Sequence, residues 1–257
     1  MQTTILGQPH QSKGLNSNHL KLIAITSMTI DHLTSVIFPG YNTQWWIILL
    51  HIIGRLAAPI MWFFIAEGYH YTHNLKKYMA RLFFFSIISH FAYNFAFGIP
   101  FIPFQTSIFN QTSVIWVLAW SLVALAITDS TKLKDWQKVL LVTIICVITF
   151  CSDWSCIALQ AILQMVRHRG NLKKQMQGML FWVFFYAVVY IIFINPVYGI
   201  LQMFVFLVYP FLKHYNGQRG NWKGMKWFFY IYYPLHLIIC GLIRIALHGN
   251  MGVMIGS

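Results

Sequence analysis

Acidic side chains are nearly missing from this sequence. Five Asp and Glu stand against 18 Lys and Arg in 257 residues, and charged residues of both signs make up only 9%. A soluble domain carries roughly a quarter charged residues, so a water-facing surface of ordinary extent is excluded. Cysteine is scarce too. Cys146, Cys151, Cys156 and Cys240 show no CxxC spacing, which excludes a zinc ribbon and a disulfide-dense secreted scaffold. Cys151 and Cys156 are expected as buried thiols that pack like small apolar groups, with a disulfide near the outer surface as the alternative. No GxGxxG and no P-loop occurs, no repeat of fixed period, and no polar stretch long enough for a second domain. The polar stretch from Met1 to Asn18 lacks the apolar region of a signal peptide, so the first apolar run is expected to remain as a helix.

What fills the chain instead is apolar: 58% hydrophobic and 18% aromatic residues, with mean hydropathy +0.61. A membrane-spanning helix takes about 20 such residues. Runs of this kind lie near Leu20–Phe38, Trp45–Tyr69, Tyr78–Phe97, Ser113–Thr128, Lys138–Phe150, Trp154–Val166, Gly178–Ile194, Tyr198–Leu212 and Trp227–Leu247. The expectation is one all-α, polytopic membrane domain over residues 1–257, with about nine transmembrane helices in one bundle. Residues 1–19 form its cytoplasmic tail. The fifth and sixth runs are short enough to be a broken pair or a re-entrant element.

The net charge of +13 would suggest nucleic acid in a soluble protein. Here its distribution argues otherwise, and no nucleic-acid partner is expected. Lys13 and Lys21 precede the first run, and Lys76, Lys77 and Arg81 follow the second. Lys132, Lys134 and Lys138 follow the fourth, Arg167, Arg169, Lys173 and Lys174 the sixth, and Lys213, Arg219, Lys223 and Lys226 the eighth. The intervening connections, Pro39–Gln44, Gly98–Thr112 and Asn195–Val197, contain neither Lys nor Arg. By the positive-inside rule this alternation predicts a bacterial inner-membrane protein with its N-terminus in the cytoplasm and its C-terminus outside.

Ionisable residues at bilayer depth cost about 2.5–3.5 kcal/mol each on insertion scales, so each needs a reason. At about 1.5 Å of rise per residue, Asp31 and His32 lie roughly 17 Å into the first helix. His51 and Arg55 lie about 9 and 15 Å into the second, entered from the other side. His90 and Asn94 fall at middle to outer depth on the third, and His236 near the middle of the last. One reading is structural, with Asp31 paired to Arg55 and the histidines bonded to backbone carbonyls. The other is chemical, because packing alone seldom calls for several titratable groups at one level. His51 and Arg55, four apart, share a helix face, whereas adjacent Asp31 and His32 diverge by about 100° and imply two separate contacts. Glu67 near the cytoplasmic end of the second helix is expected to pair with Lys76, Lys77 or Arg81, or to belong to a cytoplasmic entrance for a phosphorylated ligand. No metal site is expected.

The order of these residues resembles the TraX family of membrane proteins. The resemblance rests on Ile30-Asp31-His32, on Ile53-Gly54-Arg55-Leu56-Ala57 with Pro59, and on Ile65-Ala66-Glu67-Gly68-Tyr69. Tyr215-Asn216-Gly217, Arg219-Gly220 and Tyr233-Pro234-Leu235-His236 follow. It covers about residues 20 to 240 and is thinnest from Lys132 to Asn195. It implies a compact branch of the transmembrane acyltransferases, which pass an acyl group from cytoplasmic acyl-CoA to an acceptor at or across the membrane. The acceptor would be a pilin N-terminus, a glycan or a lipid-linked sugar.

In that superfamily ten residues separate a basic residue from a first-helix histidine, and Lys21 and His32 fit. His32 is thereby implied as catalytic base or acyl carrier, with Asp31 and Arg55 beside it. Lys21, Glu67, His70, Lys77 and Arg81 are implied as contacts to acetyl-CoA, the co-substrate. His51, His90, Asn94 and His236 are implied on the acceptor side or in support. The family pattern has an acid near the end of the third helix, where this chain has His90. The rival expectation is a small proton-coupled transporter using the same Asp, His and Arg as a relay; an assembly protein without chemistry would leave the midplane charges unexplained.

Overall fold

The computed structural model describes residues 14–105 and 107–253; Lys13 and most of the expected tail lie outside them. Among the described residues the chain is all-helical, with two isolated backbone bridges and no strand. The elements are α1 (Ser17–Ile37), α2 (Trp45–Gly54), α3 (Ala57–Tyr71), α4 (Leu75–Phe97), α5 (Val114–Thr128), α6 (Asp135–Thr149), α7 (Ser155–Arg167), α8 (Leu172–Phe193) and α9 (Pro196–Gln202). A 3-10 segment (Met203–Val208), α10 (Tyr209–Lys213) and α11 (Met225–His248) complete the chain. Each of the nine apolar runs falls on helix. Five stretches are long and apolar enough to cross a membrane: Ser17–Ile37, Trp45–Tyr71, Leu172–Phe193, Pro196–Lys213 and Met225–His248. This is a membrane protein.

The helices start where side chains supply the orphan amide partners. Asn16, Asn74, Asn171 and Asn195 each accept a backbone N–H from the first turn of α1, α4, α8 and α9. The second run is not one smooth helix. Pro59 has no N–H to offer the carbonyl of Arg55, and the helix opens at Arg55 and Leu56 between α2 and α3. The eighth run breaks as well, winding into 3-10 geometry after Gln202.

Packing makes one bundle: α1 lies against α2, α3 and α11, α4 against α5 and α11, and α7 against α3, α5 and α8, with α9 on α8. The basic connections gather at one end. Leu15 and Ser17 bond the backbone of His214 and Gln218, Glu67 reaches Arg169 and Tyr69 reaches Asp129. At the other end Tyr198 donates to the Asn42 carbonyl, His248 meets that of Val36 and Val253 donates to that of Phe97.

The short helices α6 and α7 have 15 and 13 residues, about 22 and 20 Å at 1.5 Å per residue. That is less than a hydrocarbon core of about 30 Å. Their connecting turn is buried inside the bundle. It is pinned by Gln111 N–H to the Cys151 carbonyl and by Asp153 N–H to the Thr112 carbonyl. Both are thus shorter than a full span, as the shortness of the fifth and sixth runs implied. Cys151 is buried, as expected of a small apolar side chain, and all four cysteines are free thiols.

Candidate functional site

The deepest polar residues meet where α1 crosses the α2–α3 break. Asp31 Oδ1 accepts from His51 Nδ1 at 2.8 Å and from Arg55 Nη2 at 2.9 Å, and its Oδ2 accepts from the same Nη2 at 2.8 Å. Arg55 Nη1 donates to Gln202 Oε1 at 2.9 Å, at the second helix break, and Nε donates to the His51 carbonyl at 3.3 Å. The guanidinium also lies over the Trp154 ring, 5.5 Å from its centre. Asp31, His51 and Arg55 are all buried. Of the five N–H donors of an arginine, four are thereby used. Close approach of the two helices depends on Gly54, where an added Cβ would overlap the Asp31 side chain.

His32, one residue on, makes the second contact. Its Nδ1 lies 2.8 Å from His236 Nε2, the rings nearly parallel, and His236 Nδ1 lies 3.1 Å from the Tyr232 carbonyl. A carbonyl can only accept, so His236 Nδ1 carries a proton and donates. Its Nε2 is then the acceptor, and His32 Nδ1–H is the donor. That leaves the lone pair of neutral His32 on Nε2, for which no partner stands among the described residues. His32 lines a small cavity with Asp31, Arg55, Met61, Asp153, Trp154 and Tyr233; its volume is about 30 Å³, enough for water but little more.

The remaining expected residues separate. His90 and Asn94, expected on the acceptor side or in support, hold the 98–113 connection: His90 contacts Thr112 Oγ1 at 3.0 Å and the Phe101 carbonyl at 2.7 Å. Asn94 donates to the Pro100 carbonyl at 2.8 Å. Glu67 pairs with neither Lys76, Lys77 nor Arg81 but with Arg169, through 2.9 and 3.1 Å contacts. The loop after α7 brings Arg169 to the end of α3, while Arg81 is taken up by the Tyr78 and Tyr230 rings. Lys21 Nζ sits 5.2 Å from the centre of the Phe64 ring. Arg81 lies near the Tyr78 and Tyr230 rings at 5.1 and 5.4 Å. Lys77 and His70 are exposed. These cations share the basic end, and the 11 residues from Lys21 to His32 put it about 16 Å from the cavity. No group of three His, Cys, Asp or Glu with metal-binding geometry occurs among the described residues.

The family model described as "TraX protein" matches residues 16–244. The chain belongs to the TraX family. A relative from Dichelobacter nodosus, described as "Probable fimbrial assembly protein FimC, serogroup H1", is 28% identical over 227 residues, spanning 86% of this chain and 92% of the relative. No solved structure matches. The stretch matched to TraX contains every cavity-lining residue, from Met28 to Tyr233.

Sequence reasoning missed Asp153, Tyr233 as a wall of the cavity, Gln202 and Arg169. Asp153 carried a usable signal: it is one of only five acids and stands between two short apolar runs with no basic neighbour. Arg244 was missed as well. It is buried and donates to the Phe95, Ala96 and Met251 carbonyls, so the open C-terminal end of α4 neutralises it.

Proposed function

We propose that this TraX-family protein is a membrane-embedded acyltransferase of the transmembrane acyltransferase superfamily. Its nine helical runs lie in a bacterial inner membrane, with the basic end toward the cytoplasm and the C-terminus outside. Acetyl-CoA serves as donor, and its phosphates dock on Lys21, Arg81 and neighbouring cations through charge-assisted hydrogen bonds. The acceptor is a hydroxyl or amine, and the fimbrial-assembly relative favours a pilus subunit over a glycan.

One observation carries the reading. The Tyr232–His236–His32 chain of contacts leaves the His32 Nε2 lone pair in a cavity beside a held positive charge. An oriented neutral imidazole is the arrangement general-base catalysis requires. His32 Nε2 takes the acceptor's proton, or carries the acyl group between two half-reactions, while His236 fixes its tautomer. Arg55 retains one N–H for a developing oxyanion. A cavity of about 30 Å³ holds neither substrate, so binding must part the helices around it.

The test is direct. Saturating acetyl-CoA at a hundred times its Kd should raise the purified protein's stability by about 2.7 kcal/mol, read as a melting shift. His32→Ala should keep that shift and lose about 10²–10⁴ in transfer of labelled acetyl. Lys21→Ala or Arg81→Ala should lose the shift. No shift with wild-type protein would sink the proposal.

A second reading has its own observation. The breaks at Arg55 and Gln202 are bonded to each other, and paired discontinuous helices are a feature of secondary transporters. Proton uptake into proteoliposomes that ceases in His32→Gln, with no acetyl-CoA shift in the wild type, would favour it.

A further inference from the structure

The cavity contains a second ionisable group, and it is not held as the first is. Asp153 is 7% exposed, and its Oδ1 has no hydrogen-bond partner. Among the described residues it makes no ion pair. The nearest cation is Arg55, already bonded to Asp31. Around it the Tyr93 hydroxyl on α4 is likewise unpartnered, while the Tyr233 hydroxyl on α11 lies against Ser113 at the start of α5. Tyr186 and Tyr190 of α8 face it across the turn, as do Asp31 and Arg55. A buried carboxylate with a free oxygen and no counter-charge is costly unless something supplies donors and positive charge. A hydroxyl would supply a donor only.

Resting on the acyl-transfer reading, we propose that Asp153 is the residue that selects the acceptor, taking a protonated primary amine into the cavity between itself and His32. The proton count agrees with two bases in one cavity. An ammonium must lose one proton to become a nucleophile and a second as the C–N bond forms; a hydroxyl loses one. Asp153 receives the first from the ammonium. His32 Nε2 receives the second as the amine attacks the thioester carbonyl, and returns it to sulfur as the C–S bond breaks. The products are the amide, the free thiol and one proton, which leaves from Asp153.

The experiment uses the purified full chain, labelled acetyl-CoA, a short apolar peptide with a free α-amine, and its α-hydroxy analogue. Wild-type protein should acetylate the amine and not the analogue. Asp153→Asn should lose about 10² in kcat/KM for the amine at pH 7, with its melting temperature and its KM for acetyl-CoA unchanged. Above about pH 8 water has already deprotonated an α-amine, so the Asn variant should recover there, which a merely structural role would not produce. Asp153→Glu, which keeps the carboxylate one methylene away, should keep the wild-type pH profile with a raised acceptor KM, and it carries the test where the Asn variant does not fold. An Asn variant with the wild-type pH profile, or a wild-type preference for the hydroxy analogue, overturns the role of Asp153 while leaving acyl transfer standing. Absence of both a melting shift with acetyl-CoA and transfer to either peptide overturns both.

Discussion

The two carboxylates of the cavity, Asp31 and Asp153, are both buried and both near Arg55, yet their surroundings differ. Asp31 is saturated: three contacts of 2.8–2.9 Å reach its oxygens. Asp153 has an oxygen with no partner. Paired buried charges hold a structure in register, because removing one partner exposes the whole desolvation cost of the other. A buried oxygen left without a partner holds no neighbour in place and calls for a reason, such as a ligand, a water or a part in the reaction. The comparison assigns holding to the Asp31 side and chemistry to the side of His32 and Asp153.

The largest expected effect tests the holding side. Arg55→Met leaves Asp31 buried with only His51 for company and should cost about 3–5 kcal/mol, enough to remove most folded protein from the membrane fraction. The double variant Asp31→Asn, Arg55→Met should recover much of that loss, since no lone charge remains. If Arg55→Met instead melts like the wild type and loses only activity, the division between holding and chemistry is wrong.

Gly54→Ala comes next. The new methyl would meet the Asp31 side chain, and overpacking of this sort costs about 1–3 kcal/mol. Because α1 would be pushed off α2, His32 should also lose its alignment with His236. Activity should therefore fall further than stability alone explains. A variant of wild-type activity would show that α1 has room to slide.

These two residues also show how much the sequence revealed. The spacing of His51 and Arg55, and the need to neutralise a midplane Asp, were legible because helical period and bilayer depth are both functions of position in one chain. Pro59 marked the helix break in the same local way. The His32–His236 pair was not legible as a pair. It joins residues 204 positions apart, and nothing in a single chain says which faces of α1 and α11 meet. For His90 and Asn94 depth was readable, but the fold-back of the 98–113 connection onto them was not. Asp153 escaped because turns lack the periodicity that flags a helix face.

The smallest expected effect lies at the basic end, where Glu67 and Arg169 form the counterpart of the Asp31–Arg55 pair in water. Their side chains are 16% and 31% exposed, and ion pairs of that exposure contribute about 0–1 kcal/mol. Arg169 also bonds the Tyr71 hydroxyl and lies 5.0 Å from the centre of that ring, so it keeps contacts when the carboxylate is removed. Glu67→Gln should thus move the melting temperature only slightly. Its effect on the donor carries more information. Coenzyme phosphates approaching this end meet one carboxylate among many cations, and neutralising it releases Arg169 to face them. The KM for acetyl-CoA should fall, by less than about fivefold for an interaction of 1 kcal/mol at most. A rise in that KM at unchanged stability would instead make Glu67 a direct contact of the donor. The positive charge of this end would then act only together with its one acid, and the contrast between a buried holding pair and a dispensable exposed one would fail at the exposed pair.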